Sequence, residues 1–189
     1  MLNSTMARLT PDERRRQLLG IGLRMFVEKP VQEVSIDAVA AEAGISRGLL
    51  FHYFPTKTAY HQAVVAAAGR RFLRNARPDT EVTGSAALEQ ITRRFIEQIR
   101  RRREFYVALV FGQGPVTVPT PEDEPEFATS LRGRLAALVI DQCGYAATTR
   151  PVVHAWVAYV EDRAIESGPR DDIPALVDHC TDALARLLR

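Results

Sequence analysis

The sequence predicts an all-α protein, and three observations carry that prediction. Apolar residues recur at spacings of three and four along the chain, the period of one helix face. No segment sustains period-two alternation between hairpin turns, so no sheet is expected. Helix start and stop residues stand where the periodic segments begin and end, as at Thr10-Pro11-Asp12-Glu13, Gly44, Gly144 and Gly168-Pro169.

Taken in order, residues 1–9 read as a disordered arm. Thr10 then caps a helix, with Pro11 at its first position and Glu13 completing a capping box. Leu18, Ile21, Gly22, Met25 and Phe26 form its apolar stripe, Arg14, Arg15 and Arg16 read as its solvated face with phosphate contact as the alternative, and Lys29-Pro30 closes it. Ser35 caps a second helix that turns Ile36, Val39, Ala40 and Ala43 inward. Gly44 ends it where a positive φ is needed. Ser46 caps a third helix with Leu50 and Phe54 inward, and Pro55 stops it. Helices of seven or eight residues do not stand alone in water, so this pair needs the first helix beneath it.

Thr56 caps again, and Lys57 opens a longer helix to about Arg77, with Tyr60, Val64, Ala67, Ala68 and Phe72 at helical spacing. Pro78 to Gly84 is a polar break. Leu88, Ile91, Phe95 and Ile99 mark the next helix, and Phe105 to Phe111 a short, very apolar one. Gly112 to Pro125 reads as a loop containing Pro115, Pro119, Pro121 and Pro125. Phe127, Leu131, Leu135 and Leu138 mark a helix ended by Gly144. Thr149-Arg150-Pro151 opens another, with Val152, Val153, Trp156, Val157 and Val160 on one side. Asp172 caps the last, whose stripe is Leu176, Val177, Cys180, Leu184 and Leu187.

Composition narrows the function classes. An apolar content of 46% with 25% charged residues describes an ordinary soluble globule. The apolar runs stop short of the ~20 residues of a membrane span, and MLNSTMARLT has no signal-peptide core, so a cytoplasmic protein is expected. Cys143 and Cys180 read as reduced, buried, small apolar residues, and no zinc spacing exists among the cysteines and His52, His61, His154 and His179. The net charge of +2 hides an asymmetry. Residues 1–77 hold 12 Lys and Arg against 6 Asp and Glu, whereas residues 78–189 hold 13 against 17. An anionic partner for the first part fits, and nucleic acid is such a partner.

The pair of short helices leaves Arg47, Gly48, Leu49, Phe51, His52 and Tyr53 on an outward face. In a helix-turn-helix the second helix enters the DNA major groove with its N-terminal residues nearest the bases. Arg47 follows the cap directly, Gly48 lets the backbone approach, Leu49 is placed to press on a thymine methyl, and His52 and Tyr53 to reach phosphates. The stretch AAEAGISRGLLFHYFPTK resembles the DNA-binding domain of the tetracycline-repressor (TetR) family of bacterial regulators, over about Met25 to Val65. Three positions depart from the family pattern: Leu49 where Thr is frequent, Phe51 where Tyr is frequent, and Pro30 near a usual Gly.

The resemblance implies three helices for DNA in residues 1–56, a connecting helix over 57–77, and a helical effector-binding and dimerisation domain over 78–189. It implies DNA contacts from Ser35, Ser46, Arg47, Gly48, Leu49, His52, Tyr53 and Lys57, with Tyr53 and Lys57 on phosphates. The expected partners are a pseudo-palindromic operator, a small apolar effector and a second copy of the chain, with no membrane, cofactor, metal or catalytic residue. An effector pocket is expected from Phe72, Phe95, Phe105, Tyr106, Phe111, Trp156 and Tyr159, with Gln113, His154 and Glu161 as its polar groups. The last two helices are expected to pack against their twofold mates as a four-helix bundle.

Other chemistry fares less well. Gly44-Ile45-Ser46-Arg47-Gly48 has the form of a nucleophile elbow, which needs a strand before it, and here a helix precedes it. Gly112-Gln113-Gly114 lacks the third glycine of a dinucleotide site. Arg100 to Arg103 reads either as solvating a helix junction or as adding unspecific attraction to DNA. The competing function is a ligand-binding helical homodimer, or an enzyme, that keeps the helix-turn-helix as scaffold. Specific binding to a palindromic duplex separates the two.

Overall fold

A computed structural model of the chain describes residues 9–28, 33–111 and 130–189. The arm over residues 1–8, Lys29-Pro30, the Gly112–Pro125 loop with Gln113, and Phe127 lie outside the described residues, as does the side chain of Phe111. Among the described residues there are nine α-helices and no strand. They are α1 (Pro11–Glu28), α2 (Ile36–Glu42), α3 (Arg47–Tyr53), α4 (Lys57–Ala76), α5 (Gly84–Arg101), α6 (Arg103–Phe111), α7 (Leu131–Cys143), α8 (Arg150–Glu166) and α9 (Ile173–Leu187), with a 3-10 turn at Ala147–Thr149. The all-α expectation therefore holds. The chain forms two compact units, Met1–Ala67 and Ala68–Arg189, and the division falls within α4.

The first unit is built on local signals. Thr10 and Glu13 close the capping box in both directions: the Thr10 amide donates to Glu13 Oε2 at 2.8 Å, and the Glu13 amide to Thr10 Oγ1 at 3.3 Å. Leu18, Ile21 and Phe26 of α1 are buried with Val39 and Ala40 of α2, Leu50 of α3, and Phe54, Tyr60 and Val64, while Met25 is half-buried at the edge of the stripe. Gly44 turns the chain at φ 64°. The Tyr60 hydroxyl donates to the Leu18 carbonyl at 2.8 Å, and the buried Gly22 gives Tyr60 room to lie against α1.

In the second unit α5 packs against α6, α7, α8 and α9, and its inward residues include Leu88, Ile91, Phe95, Ile96 and Ile99. Gly144 ends α7 in the left-handed region at φ 69°, as its position after an apolar stripe predicts. Three sequence expectations are corrected. Asp172 occupies the cap position of α9 without making a cap bond; the neighbouring Asp171 Oδ2 closes the turn before the helix by accepting from the Gly168 amide at 2.8 Å. Cys143 is half-buried, whereas Cys180 is fully buried. Arg100 does not merely face solvent: its guanidinium donates to the carbonyls of Gly168 at 2.7 Å and Asp171 at 2.9 Å, holding the α8–α9 turn.

Candidate nucleic-acid interface

Both serines of the helix-turn-helix act as caps. Ser35 Oγ accepts from the Ala38 amide at 3.4 Å, and Ser46 Oγ from the Leu49 amide at 3.2 Å. Gly44–Gly48 thus runs from helix to helix, and Ser46 is a cap where a hydrolase would carry a nucleophile on a strand-to-helix turn. Within α3 only Leu50 is buried. Arg47, Gly48, Leu49 and His52 are exposed, Phe51 and Tyr53 half-buried, and Lys57 is exposed at the start of α4. Leu49 is one of few large apolar residues left open to water among the described residues, at 40% exposure. The eight expected DNA contacts therefore lie on the α2 start, α3 and the α4 start of one unit, and all but the half-buried Ser35 and Tyr53 are open to solvent.

Electrostatics shape that face. Arg47 Nη1 donates to Asp37 at 3.3 Å, and the Arg47 guanidinium carbon stands 5.4 Å from the Phe51 ring centre. His52 and Tyr53 meet edge to face at 5.6 Å. Thr56 Oγ1 caps α4 by accepting from the Ala59 amide at 3.0 Å, which leaves other first-turn amides and Lys57 at an N-terminus suited to anions.

Two further residues support the site, and the sequence reads them as solvated charge or phosphate contacts rather than as grips on neighbouring helices. Arg14 Nη1 donates to the Ala43 carbonyl at 3.4 Å, and Arg15 Nη1 to the Tyr53 carbonyl at 3.0 Å. Each places a cation at a helix C-terminus, where the macrodipole favours it. Arg15 also stands 4.4 Å over the Phe54 ring. α1 thereby grips the ends of both α2 and α3.

Residues 18–64 match the family described as bacterial regulatory proteins, tetR family. Over 95% of this chain and 82% of its own, the crystal structure of a tetR-family transcriptional regulator from Streptomyces coelicolor superimposes with a TM-score of 0.69 at 25% identity. Residues 18–64 are thus similar to the tetR-family DNA-binding segment, and the whole chain shares its fold with tetR-family regulators. A tetR-like transcriptional regulator from Rhodococcus sp. RHA1 shares the fold, with a TM-score of 0.61 at 21% identity over 96% of this chain and 98% of that one. In sequence, the chain is 34% identical over 65 residues to the HTH-type transcriptional regulator SrpR of Pseudomonas putida. That match spans 33% of this chain and 30% of SrpR.

The ten residues expected around an effector divide in the structure. Phe72, Phe95 and Tyr106 pack ring against ring at 5.1–6.1 Å between centroids. Tyr106 donates its hydroxyl to Glu161 Oε1 at 2.8 Å, and Arg132 Nε donates to Glu161 Oε2 at 2.5 Å. Glu161 is thus a buried carboxylate whose two oxygens are both occupied. Burial and that carboxylate hold the Tyr106 hydroxyl well above its ordinary pKa. Trp156 and Tyr159 lie elsewhere, along a groove of about 450 Å³ between α8 and α9 that His179 and Leu187 also line. The Trp156 indole donates to the Cys180 carbonyl at 2.7 Å. Phe105 and His154 are half-buried, and Gln113 and the Phe111 side chain fall outside the described residues. Among the described residues no helix is long and apolar enough to cross a membrane.

Proposed function

We propose that this chain is a cytoplasmic DNA-binding transcription regulator that acts as a homodimer and is a repressor released from a pseudo-palindromic operator by a small apolar effector. The observation that carries the DNA reading is the outward face of α3: Arg47, Gly48, Leu49 and His52 stand in solvent over a buried Leu50. Arg47 reads a guanine edge, and Leu49 rests on a thymine methyl beside it. Gly48 and the capped starts at Ser35 and Ser46 bring backbone close to the strand, and Tyr53, His52 and Lys57 hold phosphates. Residues 1–56 bind DNA, 57–77 connect, and 78–189 bind effector and dimerise.

The groove between α8 and α9, with Leu187 at 58% exposure beside it, supports pairing of these helices with those of a second copy. The aromatic cluster at Phe72 supports an apolar effector site in residues 78–189 and its approach to α4, which carries both Phe72 and Lys57. An effector there acts by moving α4 and so the spacing of the two reading helices.

The test is selection of duplexes from a random pool, followed by titration with variants. Arg47→Ala should cost about 1–3 kcal/mol on the selected site and relax one base pair per half-site. Lys57→Ala should weaken all sequences alike and flatten the salt slope by about one unit per site. Two chains should sediment with each duplex. Selection that yields no preferred sequence overturns the regulator reading in favour of a helical dimer that keeps the helix-turn-helix as scaffold.

A further inference from the structure

Asp37 is a carboxylate on a face otherwise suited to anions. Both of its oxygens stand at the same nitrogen of Arg47, with Nη1 donating to Oδ1 at 3.3 Å and to Oδ2 at 3.4 Å. The two side chains are 62% (Arg47) and 67% (Asp37) exposed, so the pair lies in water and adds little to the stability of the fold. The cap of α2 is made by Ser35, not by Asp37. The Arg47 guanidinium is held on a second side by the Phe51 ring, within cation–π range. Arg47 therefore has a carboxylate and a ring beside it before any DNA arrives, and the carboxylate repels phosphate.

We propose that Asp37 is a specificity-determining latch on Arg47, an inference that rests on the DNA-binding reading above. In the free chain and on a non-cognate duplex the carboxylate keeps the guanidinium, so Arg47 gives little to the backbone, and the Asp37 charge opposes the phosphates nearby. Guanine presents two acceptors, N7 and O6, to a guanidinium. A cognate base pair thus replaces the two carboxylate oxygens with two acceptors of its own. Other base pairs do not offer that pair, and Arg47 stays latched. Asp37 weakens wrong complexes more than the right one, which widens discrimination without adding a contact to the operator.

A double-mutant cycle tests this: wild type, Asp37→Asn, Arg47→Ala and the double variant, each titrated with a random-sequence duplex and with the duplex selected above, at several salt concentrations. Asp37→Asn should tighten random DNA about two- to fivefold and the selected duplex less, so that their ratio falls. Once unlatched, Arg47 becomes a phosphate contact. Arg47→Ala should then cost more random-DNA affinity, and about one unit more of salt slope, in the Asp37→Asn background than in wild type. Equal costs in both backgrounds overturn the latch, as does an Asp37→Asn variant with unchanged affinities. A lowered melting temperature with no coupling in the cycle assigns Asp37 to the α2 dipole instead and also overturns it. Wild type that prefers no selected duplex sinks the regulator reading and with it the latch, whereas a preferred duplex without coupling in the cycle sinks the latch alone. A chain that binds no DNA at all overturns both.

Discussion

A methyl group at position 22 would stand 2.3 Å from the Tyr60 hydroxyl oxygen and 2.6 Å from Val64 Cγ2. Tyr60 has nowhere to go: it is fully buried, meets Phe54 edge to face at 5.1 Å, and donates to Leu18 across 42 residues of chain. Gly22→Ala should therefore destabilise the chain by about 3 kcal/mol, at the upper end of overpacking costs. Chemical denaturation measures it, and adding Tyr60→Phe should return part of the loss by removing the oxygen that clashes. The sequence places Gly22 on the apolar stripe of its helix. It cannot show that the residue filling the space comes from α4, because no local period reports a contact 38 positions away. Glu161 teaches the same at the other end of the chain. Its position among apolar neighbours reads as a pocket group, and its actual partners, Tyr106 and Arg132, lie 55 and 29 residues off.

At the scale of elements, α3 depends on its cap more than a longer helix would. It has seven residues and one buried side chain, so the Ser46–Leu49 bond is a large share of what holds its first turn. Ser46→Ala should cost about 1 kcal/mol of stability and loosen the residues at the reading end. Ser46→Asp should recover the stability, since Asp caps as well as Ser, but should weaken DNA further by setting a negative charge towards the phosphates. Thermal melts and duplex titrations of the two variants separate cap from charge. Caps were legible because they are local. Thr10, Ser35 and Ser46 all bond within three residues, and Gly44 and Gly144 take the positive φ that their places after apolar stripes require. Cap-type residues misled where a neighbouring turn offered the hydroxyl another partner or left the side chain without a cap bond. Thr149 spends its hydroxyl on the Ala146 carbonyl at the 3-10 turn, and Asp172 stands at the cap position of α9 without a cap bond. The arginine clusters were legible as charge only. Arg15 and Arg100 hold carbonyls 38 to 71 residues distant, so what each grips depended on the fold.

Across the whole molecule, buried and half-buried titratable groups bracket the pH range of stability, one side from each unit. Burial lowers the His61 imidazole below its ordinary 6.5, against a bond to the Val34 carbonyl. A depressed value stabilises the fold above pH 6.5, and that contribution is lost as the pH falls through the lowered value. Burial raises the Cys143 and Cys180 thiols from 9.0 to about 11. A raised value stabilises the fold below pH 9, and that contribution is lost as the pH climbs towards 11. The melting temperature should thus be highest between about pH 6.5 and 9. His61→Asn should flatten its acid limb, and Cys180→Ala its alkaline limb. The hydrogen bond from Trp156 to Cys180 gives this experiment its resolution. Trp156 is the chain's sole tryptophan, buried between α8 and α9, and residues 1–67 contain none. Its emission is an optical gauge of the second unit alone, while far-ultraviolet dichroism sums the helices of both. Melting curves that coincide would mean that the two units unfold as one cooperative body, and curves that part would give each its own midpoint.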